Sequence, residues 1–159
     1  MKGPPLERYE LARDPGSIPE PSVYLLVSYL PKDTILILRT LGELRLRKGT
    51  YIYTGSAKAG LRARVPRHLR KITTPRWHID YLSQVTTSKT VWRKPYGPDE
   101  ECGAARELSR RYEGIKGFGC SDCKCGSHLF YIGEGEDFLC KGKYKGENAE
   151  ENKDPPEQQ

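Results

Sequence analysis

Gly49 to Arg70 reads GTYIYTGSAKAGLRARVPRHLR, and this stretch limits what the chain can fold into. Thr50 to Thr54 alternates aromatic and β-branched residues, the pattern of a short strand. Gly55-Ser56-Ala57 is then expected to turn the chain into a basic helix that starts at Lys58 or Ala59. On that helix Arg64 and His68 are four residues apart, one above the other on one face. With Leu61 at 0°, Val65 and Leu69 fall at about 40° and 80°, and Arg64 and His68 at about 300° and 340°. The Arg and the His therefore sit at the edge of the apolar stripe, where a cleft would open. Tyr51 and Tyr53 share one face of the strand that leads in. A phenol, a guanidinium and an imidazole near one glycine turn suit phosphate-ester chemistry. The plainer alternative is a basic surface helix behind a capped turn. Pro66 adds a constraint, because a proline inside a helix loses a backbone bond and costs about 3 kcal/mol. A kink is expected there, and it would move Arg64 relative to His68.

The other segments give the frame. Met1 to Pro21 carries five prolines and no hydrophobic period, and reads as an extended arm, residues 1–21. Ser22 to Leu30, SVYLLVSYL, is the most apolar run and reads as a central strand. Pro31-Lys32-Asp33 turns it into a second strand, Thr34 to Arg39, most simply as a hairpin. Leu41 to Arg47 is a third strand. Thr74 caps a short helix that opens on Pro75 and carries Trp77 to Ser83. Val85 to Trp92 reads as an edge strand. Gly97-Pro98-Asp99-Glu100-Glu101 starts a helix running to about Tyr112, with its acids placed to complement the helix dipole. Gly117 to Gly126 is a glycine- and cysteine-rich loop, and His128 to Ile132 is a last strand. From residue 134 to 159 the chain is charged and poor in apolar residues, which predicts a disordered tail. The expected architecture is a small α/β domain of the α+β type over residues 22–133, with a central antiparallel or mixed sheet flanked by helices.

Charge points to the partner. The chain carries a net +6, but Arg45 to Lys94 holds thirteen Lys or Arg against one acid, Asp80, a block of +12. Such a concentration attracts polyanions by counterion release and field focusing. Nucleic acid, DNA or RNA, is the leading partner. Lys48, Lys58, Arg62, Arg67, Arg70 and Lys71 are the residues in the block expected to contact it. A membrane surface is a poorer fit, since the aliphatic face of the Leu61 helix is narrow and short. Met1 to Ser22 contains no apolar run and no stretch approaches the length of a membrane span, so a cytoplasmic protein with reduced cysteines is expected.

Glu101 is the most informative single residue. It shares a helix face with Ala105, Leu108 and Tyr112, at about 0°, 40°, 340° and 20°. A carboxylate on a core-facing stripe needs a partner or a metal. One reading pairs it with an arginine at the core edge, and the other makes it the ligand of one hard divalent cation. The cysteine loop has its own alternatives. Cys120, Cys123, Cys125 and His128 offer three thiols and an imidazole, a full set for zinc. Reduced cysteines packing a loop are a second reading, and a loop whose Ser127 and His128 reach the cleft and shape the substrate site is a third. Cys102 reads as a buried small hydrophobe. His78 is a further candidate for proton transfer or phosphate binding, with Asp80 orienting one of the histidines.

Several of these residues together resemble a known family. Tyr53-Thr54-Gly55 is similar to the second half of the GIY-YIG nuclease signature, and Ser22-Val23-Tyr24 stands where the first half belongs. Arg64 and His68 fit the Arg-x-x-x-His that follows. With Trp77-His78-Ile79-Asp80-Tyr81-Leu82, Glu101-Cys102 and the loop from Gly117 to Tyr131, the series resembles the compact Uri branch of that superfamily over about Ser22 to Ile132. Serine replaces the first glycine and threonine replaces an isoleucine, while the tyrosines and Gly55 remain. The resemblance implies hydrolysis of a phosphodiester by in-line attack of water. Glu101 would hold one Mg²⁺ or Mn²⁺, and Arg64 would bind the phosphoryl oxygens. Tyr24 or Tyr53 would orient the water or take its proton, with Tyr51 as the alternative to Tyr53. Lys48, Arg64 and the cation would supply the positive charge that a tyrosine base needs. His68 and His78 would move protons or bind phosphate. The expectation is a metal-dependent DNA endonuclease, with a role in repair or recombination suggested by analogy alone. The alternative is a non-catalytic nucleic-acid-binding protein with a zinc-stabilised cysteine loop.

Overall fold

The computed structural model describes residues 6–70, 72–120 and 123–134. Eight strands and three helices are present among them: β1 (Glu10–Leu11), β2 (Ser22–Leu30), β3 (Thr34–Leu38), β4 (Gly42–Leu46), β5 (Gly49–Ala57), α1 (Leu61–Leu69), α2 (His78–Ser83), β6 (Thr87–Pro95), α3 (Glu100–Ser109), β7 (Glu113–Gly114) and β8 (Leu129–Gly133). Six strands form one sheet in the order β1-β6-β2-β5-β8-β7, and every pairing in it is antiparallel. β3 and β4 pair as a separate hairpin. The fold is α+β, as the sequence pattern predicts.

β2 lies at the centre and is buried along nearly its whole length. A strand covered on both faces has no polar side to show, which explains the unbroken apolar run. On one face, Tyr24, Leu26 and Leu30 pack with Leu61 and Val65 of α1, Ile79 and Leu82 of α2, and Leu36, Leu38 and Leu46 of the hairpin. On the other, Leu25 and Val27 pack with Ile52, Trp92, Phe130 and with Ala105 and Leu108 of α3. The sheet is therefore sandwiched, with α1, α2 and the hairpin on one side and α3 on the other.

Several expectations change. β3 pairs with β4 and not with β2, and α2 starts at His78 behind Trp77 and not at Pro75 behind Thr74. Residues 6–17, assigned to an extended arm, include two 3-10 turns and β1, whose register sets Glu10 opposite Arg93 and Leu11 opposite Trp92. β6 consequently lies between β1 and β2 and is not an edge strand. Gly55-Ser56-Ala57 does not turn but continues β5, because all three residues stay paired with Tyr24, Val23 and Ser22. The turn comes at Gly60, where φ is +97° and a Cβ would lie 2.3 Å from the Pro19 carbonyl oxygen. α3 starts at Glu100, later than expected, because Asp99 adopts a left-handed conformation that cannot continue a helix.

Pro66 does not interrupt α1, which runs as one helix from Leu61 to Leu69. The preceding segment supports its start: the Arg62 N–H donates to the Ile18 carbonyl at 3.0 Å, satisfying one of the orphan donors of the helix N-terminus. Lys71 and Cys140 lie outside the described residues, as does the expected tail from residue 135 onward. Among the described residues no helix is long and apolar enough to cross a membrane.

Candidate active site

A cleft of about 1340 Å³ opens where the start of β2 and the end of β5 meet α1, α2, α3 and the loop before β8. Tyr24 lines it and lies against Gly55, its opposite residue in the β2–β5 register. A Cβ on Gly55 would fall 2.7 Å from Tyr24 Oη and 2.8 Å from its Cζ. A glycine is needed there because the phenol ring lies directly on the backbone.

Tyr24 is fully buried, and its Oη is 2.7 Å from His68 Nε2. Burial pushes the Tyr24 phenol well above its ordinary value, Tyr53 adds to the rise, and Arg64 opposes it. Burial also draws His68 down to about 4, so the ring is neutral. His68 Nδ1 has no partner among the described residues. Tyr24 Oη and His68 Nε2 share one hydrogen bond, whose direction depends on the tautomer of the ring. The ring of Tyr53, partly exposed, stands edge-on to His68 with centroids 6.1 Å apart and lies 6.4 Å from Tyr24.

α1 keeps Arg64 and His68 on one face, and both line the cleft. Arg64 Nη1 donates to the Ser56 carbonyl at 2.9 Å, and its guanidinium lies 4.7 Å from the centre of the Trp77 ring. Across the cleft, Glu101 Oε1 accepts from Ser56 Oγ at 2.7 Å, and Oε2 is 3.1 Å from His128 Nδ1. Burial works to raise the Glu101 carboxyl, but the bonds from His128 and Ser56 outweigh it and hold the group below its ordinary value. His128 is displaced the other way: burial lowers it, yet Glu101 and the Thr54 carbonyl raise it to about 9. The Glu101 face predicted for α3 is present, with Ala105 and Leu108 buried behind it.

Other sequence candidates have different places. His78 lines the cleft, but both its nitrogens are in use. Nδ1 accepts from the Gly119 N–H at 2.8 Å, so Nε2–H faces Thr40 Oγ1 at 2.8 Å. It ties the loop to the hairpin and has no free nitrogen for proton transfer. Asp80 does not orient a histidine. It holds Arg67 with two bonds, at 3.1 and 2.8 Å, and accepts the backbone N–H groups of Arg76 and Trp77. Arg67 is thus a structural partner of α2. Tyr51 is buried with its hydroxyl on the Arg47 carbonyl at 2.7 Å, outside the cleft. Lys48 lies at the opposite end of β5, next to Gly49, and cannot lower the pKa of a cleft tyrosine. Lys58 lines the cleft, and Arg62 and Arg70 are exposed on or beside α1.

The cysteine set differs from the one expected. Cys102, Cys123, Cys125 and His128 lie together, their ligand atoms all within 4.8 Å of one another, and this cluster could hold a metal ion. Cys120 stands apart, with its Sγ 3.5 Å from the Phe118 carbonyl. Cys102 could not be paired with the loop from the sequence, because only folding brings the start of α3 against the loop.

Sequence reasoning also passed over Arg39, Ser56 and Arg76, and gave Trp77 no role beyond its place in a motif. All four line the cleft, which carries Arg39, Lys58, Arg64 and Arg76 against Asp99 and Glu101. Their scattered positions gave no spacing to read. Residues 23–148 match the model of a family described as Domain of unknown function DUF123, and the chain belongs to that family. No curated protein and no solved structure matches it.

Proposed function

We propose that this cleft hydrolyses phosphodiester bonds in DNA with the help of one divalent cation, as an endonuclease of the GIY-YIG type. The observation that carries the reading is the convergence of Tyr24, Tyr53, Arg64, His68 and Glu101, from four separate elements, on one cleft with a net positive lining.

The donor set suits a hard cation. Glu101 is an ionised carboxylate on the cleft wall, and each of its oxygens keeps a lone pair beyond its bond to Ser56 or His128. Mg²⁺ commonly takes one or two carboxylates and completes its shell with water and phosphate oxygens. Bound on Glu101, it would supply Lewis-acid polarisation and offset charge on the leaving oxygen. Arg64, anchored on the Ser56 carbonyl, presents its remaining N–H groups to the non-bridging oxygens. Tyr24 orients the attacking water. Its phenolate is disfavoured by burial and favoured by Arg64. Tyr53, more exposed than Tyr24, packs the other side of His68 and keeps the ring in place.

The test is Glu101→Gln, which keeps the shape and the Ser56 bond but removes the charge. Turnover in Mg²⁺ is expected to fall at least a hundredfold, with DNA affinity changed less than threefold. A variant that cuts like the wild type removes Glu101 from the chemistry. A variant that loses binding and melting temperature together makes it a structural partner.

A further inference from the structure

The cluster at the foot of α3 carries an inference of its own. From the donor chemistry and its geometry we infer that Cys102, Cys123, Cys125 and Nε2 of His128 form a closed tetrahedral zinc site that pins the loop before β8 to the start of α3. The inference does not depend on the catalytic reading.

Three thiols and one imidazole make a common structural zinc set. Zn–S bonds of about 2.3 Å and Zn–N bonds of about 2.0 Å require edges of roughly 3.5 to 3.8 Å between ligand atoms. The edge from Cys123 Sγ to His128 Nε2 is already 3.3 Å, and no ligand pair is separated by more than 4.8 Å. The set closes on an ion with side-chain movements of about an ångström. None of the four cysteines among the described residues forms a disulfide.

The orientation of His128 is the second observation. Its Nδ1 faces the Thr54 carbonyl at 3.1 Å and Glu101 Oε2 at 3.1 Å. Both are acceptors, so Nδ1 carries a proton, and Nε2 is the nitrogen that faces the thiols. Metal-bound histidines are usually held in this way, with the far nitrogen donating to a carboxylate or a backbone carbonyl. Gly119 makes the arrangement possible: φ is +75°, and a Cβ there would press on His128 Cβ at 3.0 Å.

Zinc binding forms three Zn–S bonds and one Zn–N bond and releases to solvent the protons that the three thiols and His128 Nε2 carry. All four positions are then filled by protein, so the ion has no open site for water and acts in the structure. Its effect on the cleft is indirect, through the His128 ring that holds Glu101.

The choice of Cys102 over Cys120 makes the assignment testable. The full chain, purified under reducing conditions from zinc-supplemented cells, is expected to hold one zinc by elemental mass spectrometry. Cys102→Ser loses it and Cys120→Ser keeps it. In the wild-type chain, cobalt(II) in place of zinc gives the strong visible absorption of a tetrahedral site with thiolate charge transfer, a readout that requires no variant to fold. A wild-type chain with no zinc and no tetrahedral cobalt spectrum overturns the proposal. So does zinc that survives Cys102→Ser or is lost from Cys120→Ser.

Discussion

Gly55 and His68 show how single residues set the site. An added methyl at Gly55 would meet Tyr24 Oη at 2.7 Å, and the backbone beneath is held by its pairing with β2 and, two residues earlier, with β8. Gly55→Ala is expected to lower stability by about 1–3 kcal/mol and to push Tyr24 away from His68. Urea unfolding measures the first effect and loss of cleavage the second. His68 predicts a pH dependence. Its folded value of about 4 is below the ordinary 6.5, so between these values the unfolded chain binds more protons. The stability is complete above pH 6.5 and is lost as pH falls through 6.5 towards 4, by up to about 3 kcal/mol. His78, also lowered by burial, adds in the same direction. Urea midpoints at pH 7 and pH 5 check this, and His68→Gln should flatten the difference. At this scale the sequence was informative wherever a period fixed a face. Arg64 with His68, and Glu101 with Ala105 and Leu108, were placed by helical geometry. The engagement of both His78 nitrogens was not legible, since Thr40 and Gly119 are far from it in the chain.

At the scale of elements, the N-terminal segment is the main lesson. A two-residue strand among prolines has no period, so residues 6–17 read as an arm. In the structure they carry β1, the buried Ala12 and the Pro15 turn against α1, and the Ile18 carbonyl just beyond them receives the Arg62 N–H. Missing β1 also made β6 look like an edge. The glycine of the signature was misread in a similar way: Gly55 serves a close approach within a strand, and the turn belongs to Gly60. Deleting residues 1–21 is expected to cost several kcal/mol, because it unpairs β6 and uncovers the N-terminus of α1. A melting temperature lower by 10 °C or more would agree, and an unchanged one would return the segment to the status of an arm. α1 and α2 are joined at their other ends by Lys89, whose ammonium donates to the His68 and Ser83 carbonyls at 3.1 and 2.7 Å and is drawn by burial to about 8.

At the scale of the molecule, folding redistributes the charge that the sequence concentrates. Arg45, Arg47, Arg93 and Lys94 pair with Glu43, Glu113, Glu10 and Glu100, all from outside the basic block, while Arg67 pairs with Asp80. The +12 of the linear stretch therefore overstates the field. The cations that matter gather at the cleft, including Arg39, which the linear count left out. DNA affinity is expected to fall steeply with salt, and Lys58→Ala or Arg39→Ala to weaken it and reduce the slope by about one, as for a lost phosphate contact. Arg45→Ala, on the outer hairpin, should leave both unchanged. Titrations at several salt concentrations compare the three. Cleavage of nucleic acid by the cleft is read out in one assay. The wild-type chain is incubated with labelled duplex, single-stranded and branched DNA in Mg²⁺ and in EDTA. The account predicts discrete cleavage of at least one substrate in Mg²⁺ and none in EDTA. Salt-sensitive binding of all three with no cutting under either condition would contradict it and leave a protein that binds DNA without hydrolysing it.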